Sequence, residues 1–209
     1  MQSETASPGL YTIGHSDHEA SDFVSLLTRH GVTAVADVRS HPYSRFHGQF
    51  NREILSERLK RAGIDYVFLG RELGARRAER ESYRDGQARY DLIAGLPAFQ
   101  QGLDRIRCGL SNRRIALLCA EKDPITCHRA ILVCRHLRND AIDIRHILGD
   151  GSIETTEDAE ARLLDSVGLP SEHLFRTRAD LIEEAYDLQS DRIAFREVEG
   201  IHTENGAKI

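Results

Sequence analysis

Three short stretches of the 209-residue chain hold the residue types from which a reactive site can be assembled. The first is Gly14-His15-Ser16, the second is Asp37-Val38-Arg39 followed by Pro42, Ser44 and Arg45, and the third runs from Cys119 through Glu121 to Thr126, Cys127, His128 and Arg129. With Thr126 as N-cap, Cys127, His128 and Arg129 would fall in the first turn of a helix, where free backbone N–H groups and the helix dipole favour negative charge. A thiol there ionises more readily, which makes Cys127 a candidate nucleophile with His128 beside it; the alternative is a buried, inert helix cysteine. Cys119 ends an apolar run and reads either as a small core residue or as a second reactive thiol. Glu121 needs a partner to offset its desolvation at a strand end, so it is a general base or an orienter of arginines. Arg39, Arg45 and Arg129, with His15, Ser16 and Ser44 as further donors, would bind phosphate, sulfate or carboxylate. Asp37, Pro42 and Thr126 are read as structural at this site.

Neither G-x-x-x-x-G-K-[ST] nor G-x-G-x-x-G occurs, so binding of ATP or NAD through those loops is not expected, and no cofactor is predicted. Zinc can be drawn between Cys119, Cys127, His128 and His15, but the spacing of the two cysteines departs from the usual zinc patterns, and no metal is assigned.

The elements that must position these residues follow from hydrophobic period. Strands are predicted at 10–15, 32–39, 64–70, 113–121 and 142–148, the fourth with the strongest signal. Helices are expected over 20–31 and 52–63, each stopped by a glycine, then over about 83–94, 97–110, 127–139, 156–167 and 178–189. Alternating strands and helices imply right-handed crossovers and a parallel sheet covered on both faces, that is, a three-layer Rossmann-like α/β sandwich. Five strands in the order 3-2-1-4-5 are expected, with ligands at the carboxyl ends of the strands. All three polar groups follow strands, so they meet on that edge. Residues 1–150 form the domain with the site, and 151–209 form an acidic helical extension: a lid, a docking arm or a frayed tail, packed on the same domain.

Composition narrows the class further. Hydrophobic content of 40% and charge of 29% are those of a globular protein, and no apolar run reaches the roughly 20 residues of a membrane span. The first residues lack the basic start and apolar core of a secretory leader, so the reducing cytoplasm is the expected compartment and the four cysteines are expected to be free thiols. The net charge of −5 hides a basic middle segment, 39–145, followed by an acidic end. Such asymmetry fits either a surface for phosphates or nucleic acid, or salt bridges between the two parts. The expected partner is therefore a small anionic ligand or nucleic acid, with no membrane; oligomeric state is open.

The stretches Y-T-I-G-H-S at 11–16, D-V-R-S-H-P-Y-S-R-F at 37–46 and L-C-A-E-K-D-P-I-T-C-H-R at 118–129 resemble the bacterial and archaeal proteins grouped as domain-of-unknown-function family 488. G-R-E-L-G at 70–74 and the region from Tyr83 to Tyr90 are similar to that family too. The resemblance, spanning roughly 10–150, implies a Rossmann-like sheet and a shared polar site, and names no reaction. A weaker likeness is to rhodanese-type sulfurtransferases, from which the chain departs by a proline and two acids in the cysteine loop. The expectation is an enzyme acting on an anionic, phosphate-bearing or nucleic-acid-related substrate. The alternatives are a non-catalytic binding module for such ligands and, third, a thiol redox or sulfurtransferase-like protein.

Overall fold

The first apolar run forms strand β1 (Gly9–Gly14), and Ser21 to Leu27 continue it as an amphipathic helix, α1 (Ala20–Arg29), whose Phe23, Leu26 and Leu27 face inward. A computed structural model describes residues 9–140 and 142–197. The N-terminal segment read for a secretory leader and the end of the acidic extension lie outside the described residues. Strand β2 (Ala34–Asp37), helix α2 (Arg52–Arg61) and strand β3 (Asp65–Phe68) complete the first two crossovers. A short helix, α3 (Gly70–Leu73), follows at once.

The stretch 83–94, predicted as helix, is instead a two-stranded hairpin followed by one helical turn. Strands β4 (Tyr83–Arg84) and β5 (Gln87–Ala88) are joined by Asp85 and Gly86 at φ 49° and 70°, left-handed values that an Asp-Gly pair adopts readily in tight hairpins. Helix α4 (Tyr90–Ala94) and helix α5 (Pro97–Gly109) lead into strand β6 (Arg114–Cys119). The next helix is π-wound over Arg129–Cys134 before a short α-helical turn, α6 (Arg135–Leu137). Strands β7 (Ile144–Ile147) and β8 (Ile153–Thr155) form an antiparallel pair; helices α7 (Thr156–Val167) and α8 (Arg178–Ile193) finish the described chain. Thr155 and Thr177 cap α7 and α8 through their hydroxyls, and Gly168, at φ 81°, ends α7.

The sheet has six strands in the order β3-β2-β6-β1-β7-β8, parallel except for β8, where five strands in the order 3-2-1-4-5 were expected. The strand that ends in Cys119 is inserted between β1 and β2 rather than placed outside β1. Hydrophobic period shows that a strand is buried but not who its neighbours are; β6, apolar on both faces, takes the centre, as strands buried on both sides do. In register, Gly14 lies opposite Cys119 and Asp37 opposite Leu118.

Alternate residues of each strand enter two cores. Tyr11, Ile13, Val35, Ala116 and Leu118 pack against α1, α2 and Phe50, while Leu10, Ala36, Leu117 and Cys119 pack against α3, α5, the π-helical stretch, α7 and α8. Leu181, Ile182, Ala185 and Tyr186 of α8 are buried in that second core, so this helix is part of the packed structure and not a frayed tail. No helix among the described residues is long and apolar enough to cross a membrane.

Candidate functional site

The loops leaving β1, β2 and β6 meet because β6 sits between the other two. His15 N–H donates to the Cys119 carbonyl and Ser16 N–H to that of Ala120, each at 2.9 Å, so the β1 loop follows the β6 loop closely. Only glycine fits at position 14: a Cβ there would lie 1.8 Å from the Glu121 carbonyl oxygen.

The chain after β6 is held from beneath by Arg129, which is fully buried. Its guanidinium donates to the carbonyls of Glu121 at 2.7 Å and Lys122 at 3.1 Å, and its Nε donates to Thr12 Oγ1 at 3.3 Å. Thr12 in turn is 2.8 Å from His146 Nδ1. Burial, followed by the Arg129 charge, lowers the His146 pKa to about 3, so its neutral Nδ1 accepts the threonine proton. Asp123 caps the turn Pro124–Thr126 by accepting from Ile125 N–H at 3.1 Å and is gripped from outside by Arg162. Gln189 of α8 donates to the Ile125 carbonyl at 2.7 Å, bracing the same turn from the C-terminal helix.

Cys127 does not occupy the first helical turn. It ends the preceding turn in extended conformation (φ −131°, ψ 139°) and itself takes the capping position, with the Arg129 N–H directed at its Sγ at 3.4 Å. Thr126 lies one residue too early to cap; its hydroxyl donates to the Asp123 carbonyl. Four groups then converge: Cys127 Sγ lies 3.0 Å from Glu121 Oε2, Cys119 Sγ is 3.5 Å from His128 Nδ1, and Cys127 Sγ is 4.0 Å from the same nitrogen. All four ligand-type atoms are within 4.8 Å of one another. His128 Nε2 is 3.0 Å from the Val38 carbonyl, to which it donates, so Nδ1 is the ring nitrogen that faces the two sulfurs. Burial would raise the Cys127 thiol, but the hydrogen bond with Cys119, the Arg129 cation and His128 reverse this and hold it well below the ordinary thiol value. Cys119 is pushed well above that value, first by burial and then by Cys127 and Glu121.

Cys119, Glu121 and His128 form the floor of a cavity of about 360 Å³, with Cys127 directly behind them; its wall includes Arg39, His41, Tyr43, Arg76, Tyr90 and Phe195. Arg39 is rigidly placed. It donates to both oxygens of the fully buried Asp37 at 2.9 and 2.6 Å and to the Phe50 carbonyl, and Tyr66 donates to the same carboxylate at 2.7 Å. Arg76 lies over the Phe195 ring, 4.6 Å from its centroid, and has no ion pair among the described residues.

Of the residues singled out in sequence, Arg39, Cys119, Glu121, Thr126 and His128 line the cavity, and Cys127 sits behind that lining, against Glu121. The others stand outside it. His15 stacks on Phe50 at 4.4 Å, and burial lowers its pKa to about 4 despite the nearby Ser16 carbonyl. Ser16 holds a left-handed φ of 45° and donates to Asp17. Ser44 accepts from the N–H groups of Phe46 and His47, Pro42 is buried with its carbonyl taken by Arg52, and Arg45 is exposed. Arg129 serves the loop backbone. His41, Tyr43, Arg76, Tyr90 and Phe195 were not foreseen. Arg76 had a signal, since the Arg-rich loop after β3 also leaves the carboxyl edge; Gly70 and Gly74, where a Cβ would meet the Arg39 carbonyl at 2.0 Å and Ser40 Oγ at 2.5 Å, draw that loop against β2.

A model of the family described as domain of unknown function DUF488 matches residues 19–135, a span that ends inside the helix following Cys127. No curated protein and no solved structure matches the chain.

Proposed function

The chain belongs to the DUF488 family, and from that premise we propose that it is an enzyme that binds a small anionic, phosphate-bearing substrate in the cavity and transforms it at the Cys119–Glu121–Cys127–His128 floor. The observation that carries this reading is the convergence of two thiols, an imidazole and a carboxylate beneath a wall bearing two arginines. The cavity is within the size range of small-molecule sites. Arg39, its charge balanced by Asp37, gives a rigidly oriented guanidinium edge, and Arg76 gives a guanidinium free to close on an anion. Glu121, the exposed member of the four, is placed to exchange protons with a bound ligand, while His128 and the sulfurs are held rigidly below it. All four cysteines are unpaired thiols, which supports a reducing compartment such as the cytoplasm.

The test is calorimetric titration with inorganic phosphate, pyrophosphate and nucleoside monophosphates. Binding of at least one, weakened tenfold or more in Arg76→Ala, is expected; with the bound compound as substrate, Glu121→Gln should abolish turnover while leaving affinity within a few-fold. If none of these anions binds at millimolar concentration, the reading fails.

A second reading, a nucleic-acid binding module, is favoured by one observation: Tyr43 and Phe46, 57% and 91% exposed, flank exposed Arg45 in the loop beside the cavity. Exposed aromatics with interleaved cations stack and neutralise single strands. Affinity for a single-stranded oligonucleotide that falls steeply with salt and is lost in Phe46→Ala would support it; salt-indifferent affinity would count against it.

A further inference from the structure

The four groups on the cavity floor are arranged as a coordination sphere, and we propose that Cys119, Cys127, His128 and Glu121 bind a single zinc ion. The argument is geometric. Zinc bound tetrahedrally at about 2.0–2.3 Å by sulfur, nitrogen and oxygen sets its ligands about 3.3–3.8 Å apart. The separations here are 3.0 Å for Cys127 to Glu121, 3.5 Å for Cys119 to His128 and 4.0 Å for Cys127 to His128, with every pair inside 4.8 Å. Closing the 4.0 Å gap between Cys127 and His128 by a few tenths of an ångström and withdrawing the exposed Glu121 carboxylate slightly from Cys127 would set the four on a tetrahedron.

Surrounding contacts are those of a metal centre. A ligating histidine normally donates its other ring N–H to a carbonyl or carboxylate, and His128 Nε2 donates to the Val38 carbonyl, leaving Nδ1 for the ion. The Arg129 N–H directed at Cys127 Sγ is the kind of bond that steadies a metal thiolate. Arg129 also fixes the backbone carbonyls of Glu121 and Lys122, so the ligand loop is shaped without a metal. Two sulfurs with one imidazole and one carboxylate select zinc over magnesium or calcium, which take oxygen. His15, drawn in the sequence as a fourth possible ligand by its residue type, is committed to the Phe50 stack, and Glu121 stands in its place. When the ion binds, zinc–sulfur bonds form and any thiol protons leave to solvent. Three ligands are buried and the fourth, Glu121, is at the cavity side, so a water or substrate atom can replace the carboxylate, as catalytic zinc sites require. In that state the sulfurs are ligands and not nucleophiles. This deepens the reading of the floor as reactive and leaves the anion-binding wall unchanged.

The experiment uses the full chain carrying Cys108→Ser, which removes the one exposed thiol, stripped of metal under reducing conditions. It is titrated with cobalt(II) and then with zinc in competition with a chromophoric chelator. Expected are one equivalent of cobalt, a thiolate-to-cobalt charge-transfer band with intense tetrahedral visible bands, and their loss on adding one equivalent of zinc. Cys127→Ser and His128→Asn should each weaken zinc at least a hundredfold with an unchanged far-ultraviolet dichroism spectrum, and His15→Ala should leave the bands intact. The wild-type titration decides the matter if a variant fails to fold. No cobalt bound at micromolar concentration, or cobalt bound without a thiolate band, overturns the zinc site. Zinc bound without any anion affinity would overturn the proposed substrate and keep the metal; anion affinity abolished by Arg76→Ala without zinc binding would do the reverse.

Discussion

Replacing Arg129 by methionine removes the guanidinium that ties the Glu121 and Lys122 carbonyls to β1, while leaving a side chain of similar length in its place. Two strong contacts are lost, at 2.7 and 3.1 Å, and a third, weaker one to Thr12 at 3.3 Å. Hydrogen bonds from a charged donor contribute roughly 1.5–3 kcal/mol each, so the two strong ones represent about 3–6 kcal/mol. Part of this is returned, because a fully buried cation with no carboxylate partner among the described residues no longer has to be desolvated. Methionine fills the space, so no large cavity term is added. A net loss of about 3 kcal/mol follows, a large share of the roughly 5–15 kcal/mol by which domains are stable. With a urea slope of about 2 kcal/mol per molar, the unfolding midpoint should drop by about 1.5 M. Arg129→Lys, which keeps the charge but not the fork, should recover less than half of this. Amide exchange over 120–127 should accelerate in the methionine variant before global unfolding does. A midpoint lowered by less than about 0.3 M, with exchange in the loop unchanged, would refute the role of Arg129 as the support of the site.

Two further outcomes are expected. Gly14→Ala forces a methyl group to within 1.8 Å of the Glu121 carbonyl, so the ligand loop must move; stability should fall by about 3 kcal/mol and cobalt binding should weaken, and a variant as stable as the parent would contradict the close packing of the β1 and β6 loops. His15 and His146, held at about 4 and about 3 chiefly by burial, are neutral when folded, whereas the unfolded chain protonates both below about pH 6.5. Stability is therefore fully present above that pH and declines as pH falls towards the folded values, by about 3 kcal/mol for the pair between pH 7.5 and 5.5. His128, which burial would lower but Cys127 and Glu121 raise, works in the opposite sense, so the check is differential: His146→Asn should remove about half of the pair's decline relative to the parent, and a pH profile parallel to the parent's would refute the assignment.

The five parallel strands were legible because each is a short apolar run bounded by glycine or polar residues, as in GLYTIG and RIALLC. Their order was not, since neighbour choice depends on which loops and helix faces fit together rather than on any strand's own pattern. The hairpin at 83–88 was legible from Asp85-Gly86 and was obscured by the apolar spacing of Tyr90, Leu92 and Ile93 just beyond it. Cys119, Glu121, Cys127 and His128 could be singled out by type, and their placement after one strand brought them to the correct edge. Their mutual geometry was hidden for a physical reason: the chain from Glu121 to Thr126 doubles back through a capped turn, which shortens an eight-residue separation to sulfur atoms within 4.8 Å. The cavity wall was least legible, because Phe195 reaches it only through α8 and the pairing of Ala88 with the Phe195 carbonyl.

The central position of β6 also governs the order in which the molecule can be assembled. Strands β1 and β2 do not touch; each pairs on one side with β6, and Leu10 finds Ile115 only after about a hundred further residues have been synthesised. Until then the N-terminal half has no continuous sheet and presents open strand edges, the condition under which chains associate wrongly. Docking of β6 closes that gap and, in the same event, carries Cys119 between the β1 and β2 loops and lets Arg129 reach Thr12. Completion of the fold and maturation of the site are therefore one step, so a chain stalled before β6 docks has neither a closed sheet nor a formed metal pocket.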